Sequence, residues 1–332
     1  MSPSSPTTNP SGLPPGIAEV GQRMTLRFHD PAGGFRDVVG VLKSETTIQK
    51  RDGSLINFRP EEIAIWRIIP PPIERAGMGS PLSLRIREIE LAANATWPAK
   101  EQVRLGDWIL RASGKFTKRA NSVLAIGSPG IDLDAAIDEV VNFYSTRSLT
   151  PTFHIALPTY VELGGSLKER GWKSDISVDV MVANIDEVVP TSRTRSSRAN
   201  ESVEISDSPS DEWIALQNDH GVMEIMTRSP ARYATIRVNE KIVGVARASN
   251  HAGWTVLTRL YVHPDERGKG LGSDLIIALL LDARIRGATK VALQVDSKNL
   301  GAIALYEKMQ FRLHHRYEYF SYISEATASG GC

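Results

Sequence analysis

The sequence predicts an α/β protein in three blocks, a small all-β domain followed by two related halves of mixed strands and helices. Three observations carry that prediction. Short strands follow one another closely before residue 70, a strand-helix-strand block occurs twice further on, and each copy is preceded by an amphipathic helix.

In chain order, residues 1 to 16, "MSPSSPTTNPSGLPPG", are too polar and proline-rich to pack and read as a disordered tail. They lack the basic start and apolar run of a secretory signal. Residues 17 to 70 hold "QRMTLRF", "DVVGVL", "TTIQKR", "SLINF" and "IAIWRII", with Asp52-Gly53 as a two-residue hairpin signal. Strands so short and close suggest a small β-barrel of the SH3-like class. Its cations are mixed with acids, so it reads as a packing or oligomerisation module rather than a nucleic-acid binder, and a homo-oligomer stays open. "PPPIERAGMGSP", residues 70 to 81, reads as a linker.

The repeat organises the rest. A shift of 139 positions carries "KVALQVD…LYEKMQF" (290–311) onto "PTFHIAL…LKERGW" (151–172) without a gap. Each copy is followed by one more strand, "YEYFSYI" and "ISVDVMV". Each is preceded by a helix with apolar residues three and four apart, "SDLIIALLLDARIRG" and "LDAAIDEVVNFYSTR". The halves span 82 to 187 and 203 to 325, separated by the Ser/Arg-rich "VVPTSRTRSSRANES".

The bulk numbers narrow the function classes. A formal net charge of +1 argues against a general binder of nucleic acid or membrane surface. No stretch approaches the roughly 18 apolar residues of a membrane span. The one cysteine, Cys332, can neither staple the fold nor offer a nucleophile, so a cytoplasmic protein is expected. No metal is expected.

Chemistry is written into "RGKGLGSD", residues 267–274. Gly268, Gly270 and Gly272 before a helix let backbone N–H groups converge, and the helix start favours an anion such as a pyrophosphate. Arg267 and Lys269 add positive charge. A P-loop would need Ser or Thr after Lys269, where Gly270 stands, and a dinucleotide fingerprint would need glycine at Ser273. The same shift lays residues 267–272 on "SPGIDL" (128–133), which keeps one glycine, loses both cations and gains Asp132. Tyr306 falls on Leu167. The scaffold repeats while the chemistry stands in one copy.

Arg-x-x-Gly-x-Gly after "LYVHP", followed by "LQVDSKNLGAIALYEKMQF", resembles the GCN5-related N-acetyltransferase (GNAT) superfamily. The resemblance implies tandem GNAT-like mixed-sheet domains, the first degenerate and the second active, with acetyl-coenzyme A as donor. It implies a pyrophosphate on Arg267, Gly268, Lys269, Gly270, Leu271, Gly272 and Ser273. It implies a pantetheine arm paired with the backbone of Leu260, Tyr261 and Val262 where two strands splay. It further implies an oxyanion donor in the Leu260 N–H, Asn299 beside the cofactor, and Tyr306 as the acid that reprotonates the thiolate. A phenol with pKa near 10 suits that task. The base is open between Glu224, His263 and a water relay, because the strand positions near the thioester hold Thr258 and Arg259. Gln310 stands where relatives carry glycine; if left-handed it costs on the order of 1 kcal/mol.

The acceptor is expected to be the amine of a small molecule. The degenerate-plus-active pair resembles the mycothiol synthase type, and the whole-chain layout an actinobacterial type of N-acetylglutamate synthase. Glutamate is therefore the first candidate, with "RASGKFTKRANS" offering Arg111, Lys115, Lys118 and Arg119, and with Glu224 and Arg259 as further candidate contacts. The alternatives are a protein lysine or N-terminal acetyltransferase and a non-catalytic acetyl-coenzyme A sensor.

Overall fold

A computed structural model describes residues 14–16, 19–30, 33–69, 76–114, 116–189, 203–217, 221 and 223–322. Lys115, Cys332, residues 1–13 and nearly all of the Ser/Arg-rich segment lie outside them. The chain divides into two compact units, Met1–Glu74 and Arg75–Cys332.

The first unit holds β1 (Arg23–His29), β2 (Phe35–Ser44), β3 (Thr47–Gln49), β4 (Leu55–Asn57) and β5 (Ile63–Ile68). Alternation buries Met24, Leu26 and Phe28 of β1 against Val38, Leu42, Ile48 and Trp66. Gly53, at φ 84, turns the hairpin between β3 and β4. The strand order is β4-β3-β2-β1-β5. Among the described residues β4 and β5 stay as edges, so the closed barrel expected from the sequence is not formed. Close strand spacing signals a sheet, but closure needs a ladder between its two ends.

The second unit contains α1 (Leu82–Thr96), β6 (Glu101–Leu105), β7 (Trp108–Ala112), β8 (Val123–Leu124), α2 (Leu133–Ser145), β9 (Thr152–Leu157), α3 (Val161–Glu169), β10 (Lys173–Asn184) and α4 (Ile185–Val188). It continues with β11 (Val203–Ser206), α5 (Asp211–Gln217), α6 (Met223–Met226), β12 (Arg232–Val238), β13 (Lys241–His251), β14 (Trp254–Val262), α7 (Leu271–Ile285), β15 (Lys290–Asp296), α8 (Leu300–Lys308) and β16 (Arg312–Ser321). All its strands join one mixed sheet, ordered β11-β12-β13-β14-β15-β10-β16-β9-β8-β7-β6. The runs β6-β7-β8-β9 and β12-β13-β14-β15 share order and direction, two antiparallel pairings followed by a parallel one.

The halves interlock rather than sit side by side. β10 lies between β15 and β16, and β16 pairs in turn with β9. The pleat explains how β10 serves both faces. Val178, Val180 and Val182 pack against Ile86 and Ile89 of α1, while Met181 and Ala183 join the core under α7. That helix buries Leu271, Leu275, Ile276, Leu279, Leu280 and Ala283 on one stripe. Each leucine or isoleucine so buried contributes about 1.5–3 kcal/mol. Gln310, after α8, is left-handed at φ 71.

Candidate functional site

β14 and β15 pair in parallel from Trp254↔Lys290 to Leu257↔Leu293, and there the ladder stops although both strands run on. The cause lies on the other side of β14. Its pairing with β13 steps from Arg247↔Thr258 to Val245↔Tyr261, which leaves Ala246 opposite both Arg259 and Leu260. Arg259 takes φ 59 at this bulge, and the Gln217 Nε2 donates to its carbonyl at 2.9 Å. A bulge bends its strand and removes one residue from the ladder. β14 therefore swings away from β15, and a cavity of about 360 Å³ opens, with Leu260, Leu293, Asn299 and Tyr306 in its wall.

The glycine loop stands at the end of β14. Gly268 and Gly270 have φ of 76 and 87, a region glycine enters without the Cβ clash. The N-cap of α7 is Gly270, which has no side chain to cap the N–H groups of the first turn (Leu271, Gly272 and Ser273). A Cβ on Gly272 would come within 3.3 Å of Leu305, so that position is fixed by packing against α8. The Arg267 Nε donates to the Val262 carbonyl at 3.0 Å, and its guanidinium lies 6.0 Å from the Tyr261 ring centre. Lys269 is exposed and pairs with Glu266 at 2.8 Å.

Tyr306, on α8, is 8% exposed and reaches the same cavity. Burial pushes its phenol up to about 12. Asn299 is the N-cap of α8, accepting from the Ala302 N–H at 3.1 Å, and also lines the cavity.

A second cavity, of about 340 Å³, adjoins the first. Leu257, Thr258, Arg259 and Gln294 border both. From the first half come Trp97, Phe116, Thr117 and Arg119. Among the described residues that border it there is no carboxylate. The other sequence-derived candidates go elsewhere. Lys118 turns the opposite way from its neighbour and pairs with Asp175 on β10. Arg111 is buried, donating to the Ser122 carbonyl and hydroxyl at 2.9 Å each. Glu224 is exposed on α6, pairing with Lys100 at 3.3 Å and Arg228 at 3.7 Å. His263 is also exposed and lines neither cavity.

Sequence reasoning missed Trp97, Gln217, Arg247 and Gln294. Arg247 is buried beneath the second cavity, donating to the Thr258 hydroxyl at 3.3 Å and the Thr96 carbonyl at 3.1 Å. Gln294 did leave a trace, as a polar residue inside the apolar strand "KVALQV". Among the described residues no helix is long and apolar enough to cross a membrane.

The family described as "Probable histone acetyltransferase Rv0428c C-terminal" matches residues 84–320, which takes in both halves and both cavities. The chain belongs to this family of GNAT N-acetyltransferases. The probable histone acetyltransferase Rv0428c of Mycobacterium tuberculosis is 27% identical over 320 residues, covering 90% of this chain and 94% of the relative. The uncharacterized N-acetyltransferase YobR of Bacillus subtilis is 29% identical over 242 residues, covering 68% and 94%. A GCN5-related N-acetyltransferase from Kribbella flavida superposes with a TM-score of 0.58 over 73% of this chain and 96% of its own, at 14% identity, which shows the GNAT fold. GNAT acetyltransferases use acetyl-coenzyme A.

Proposed function

We propose that this acetyltransferase transfers the acetyl group of acetyl-coenzyme A to the amine of a small molecule, an amino acid such as glutamate first. The observation that carries the reading is the shared border of the two cavities. One holds Leu260 and Tyr306; the other holds cations, and no described carboxylate.

In this reading the first half is a degenerate GNAT-like domain that closes the acceptor cavity, and the second is the active one. The small sheet, SH3-like in its short strands, serves as a packing module. The N–H groups of residues 268–273 bind the pyrophosphate, with Arg267 and Lys269 adding charge. The backbone of Leu260, Tyr261 and Val262, freed where β14 leaves β15, pairs with the pantetheine arm. Asn299, while capping α8, borders the arm as well. The Leu260 N–H at the bulge faces the charge that develops on the thioester oxygen. Tyr306 then gives its proton to the departing thiolate. Burial that raises the phenol also disfavours a thiolate in the same cleft, which favours its protonation as it departs. With no described carboxylate at the acceptor cavity, the amine loses its proton through water. Arg119 and Arg259 meet the acceptor's negative charge.

A second reading is acetylation of a protein lysine or N-terminal amine, which the printed name of the Mycobacterium tuberculosis relative favours. Against it stands the cationic lining, which repels lysine. Coenzyme A release measured across free amino acids and lysine peptides separates the two. Turnover with glutamate or another free amino acid is expected; turnover with peptides alone would replace the proposal by the second reading.

A further inference from the structure

Two residues that line the second cavity, Trp97 and Gln294, carry donors that no described residue uses. The Trp97 Nε1 and the Gln294 Nε2 are buried and have no hydrogen-bond partner among the described residues. Neither is loosely held. The Trp97 ring, at the end of α1, lies beside two guanidinium groups, Arg247 at 5.4 Å and Arg119 at 5.9 Å. The Gln294 Oε1 accepts from the Tyr317 hydroxyl at 3.3 Å, which fixes the amide with its NH₂ end left over. Tyr317 itself is buried and stacks on His154 at 3.7 Å, whose ring lies 3.3 Å from Glu90.

Among the described residues, the polar side chains that border the cavity are these two donors, two hydroxyls (Thr117 and Thr258) and two cations (Arg119 and Arg259), with no carboxylate. The Thr258 hydroxyl accepts from Arg247 at 3.3 Å, which leaves its O–H to donate. Two neutral N–H groups flanked by guanidinium groups fit a planar, acceptor-only anion.

We propose that this cavity holds a carboxylate of the acceptor, with Trp97 and Gln294 as specificity-determining donors and Tyr317 as the positioning residue that orients Gln294. This rests on the acetyltransferase reading above and narrows its substrate to carboxylate-bearing amines. The loss of either donor weakens such acceptors without touching the glycine loop, which lies at the far end of β14.

The test uses the full chain with ¹⁵N-labelled tryptophan and saturating coenzyme A. The indole resonance of Trp97, assigned by its loss in Trp97→Phe, is followed while glutamate, alanine or ethylamine is added. The amino acids are expected to shift it saturably and ethylamine is not. Gln294→Leu should weaken the glutamate titration by roughly 10-fold. Tyr317→Phe should raise the KM for glutamate with acetyl-coenzyme A affinity unchanged, and should add nothing further in the Gln294→Leu background. A resonance that no amino acid moves, or that ethylamine moves equally, overturns the proposal. A shift without acetyl transfer would instead sink the acetyltransferase reading of this site and leave the carboxylate site standing.

Discussion

The two helix starts of the repeat differ in how their first backbone N–H groups are capped, and on the proposed function that difference decides which half holds the pyrophosphate. In the second half α7 begins at Gly270, left-handed and without a side-chain cap. In the first half the chain supplies its own acceptors. Asp132 takes the Asp134 N–H at 2.9 Å, Asp107 takes the Ser128 N–H at 3.1 Å, and the Ser128 hydroxyl takes the Gly130 N–H at 3.1 Å. Tyr160, which the repeat lays on Asn299, bonds the Gly127 N–H at 2.9 Å, and buried Leu167 stands for Tyr306. An N–H group already held by an acceptor of its own chain is not offered to a pyrophosphate, so in the proposed account these carboxylates and the tyrosine set the first loop apart while the strands and helices keep their places.

Breaking the open start should have the largest effect. Gly270→Asp puts a carboxylate against the anion and is expected to abolish acetyl-coenzyme A binding by calorimetry. Gly270→Asn, which tolerates a left-handed backbone without charge, should retain measurable affinity. Ile131→Asp, the matching change in the first half, should leave affinity unchanged; equal losses at 131 and 270 would break the comparison.

Next in size is the pair Tyr306 and Leu167. Tyr306→Phe should lower kcat by ~10²–10⁴-fold with acetyl-coenzyme A affinity retained. Leu167→Ala should instead cost about 2–5 kcal/mol in unfolding free energy, since it empties a packed position. Turnover unchanged in Tyr306→Phe, with chemistry rate-limiting, would reject the phenol as the acid.

The neighbouring cations of the first half give a smaller contrast. Arg119→Ala should raise the glutamate KM by about 10–100-fold, the range for losing a charge-assisted hydrogen bond. Lys118→Ala, which only frees Asp175, should change it little, because an exposed ion pair is worth ~0–1 kcal/mol. The pH profile offers the smallest effect. Burial disfavours the Tyr306 phenolate and raises its pKa to about 12. The phenol therefore stays protonated, and turnover should show no basic limb from it below about pH 10. Because the folded value lies above the unfolded one, the associated stability is complete below about pH 10 and is lost as pH rises through about 12. A basic limb near pH 8 that vanishes in Tyr306→Phe would contradict this.

What the sequence disclosed was what local chemistry dictates. Three alternate glycines mark a turn only glycine makes cheaply, and "LYEKMQF" places Tyr306 on a helix beside its strand whatever the rest of the chain does. The insertion of β10 between β15 and β16 was hidden, because that pairing joins residues more than a hundred positions apart and has no local signature. Lys118 and Arg119 look alike in sequence. One short turn sends the first to Asp175 and the second to the cavity, and only the backbone reveals which. Trp97 and Gln294 belong to no motif, and what distinguishes them is an unused donor, a property of the packed chain.

The central claim is that only the second half binds the cofactor, and the stoichiometry of acetyl-coenzyme A on the full-length chain tests it most directly. One equivalent per chain is predicted, with hydrogen-exchange protection over residues 267–272 and none over 128–133. Two equivalents, or protection at both loops, would contradict it.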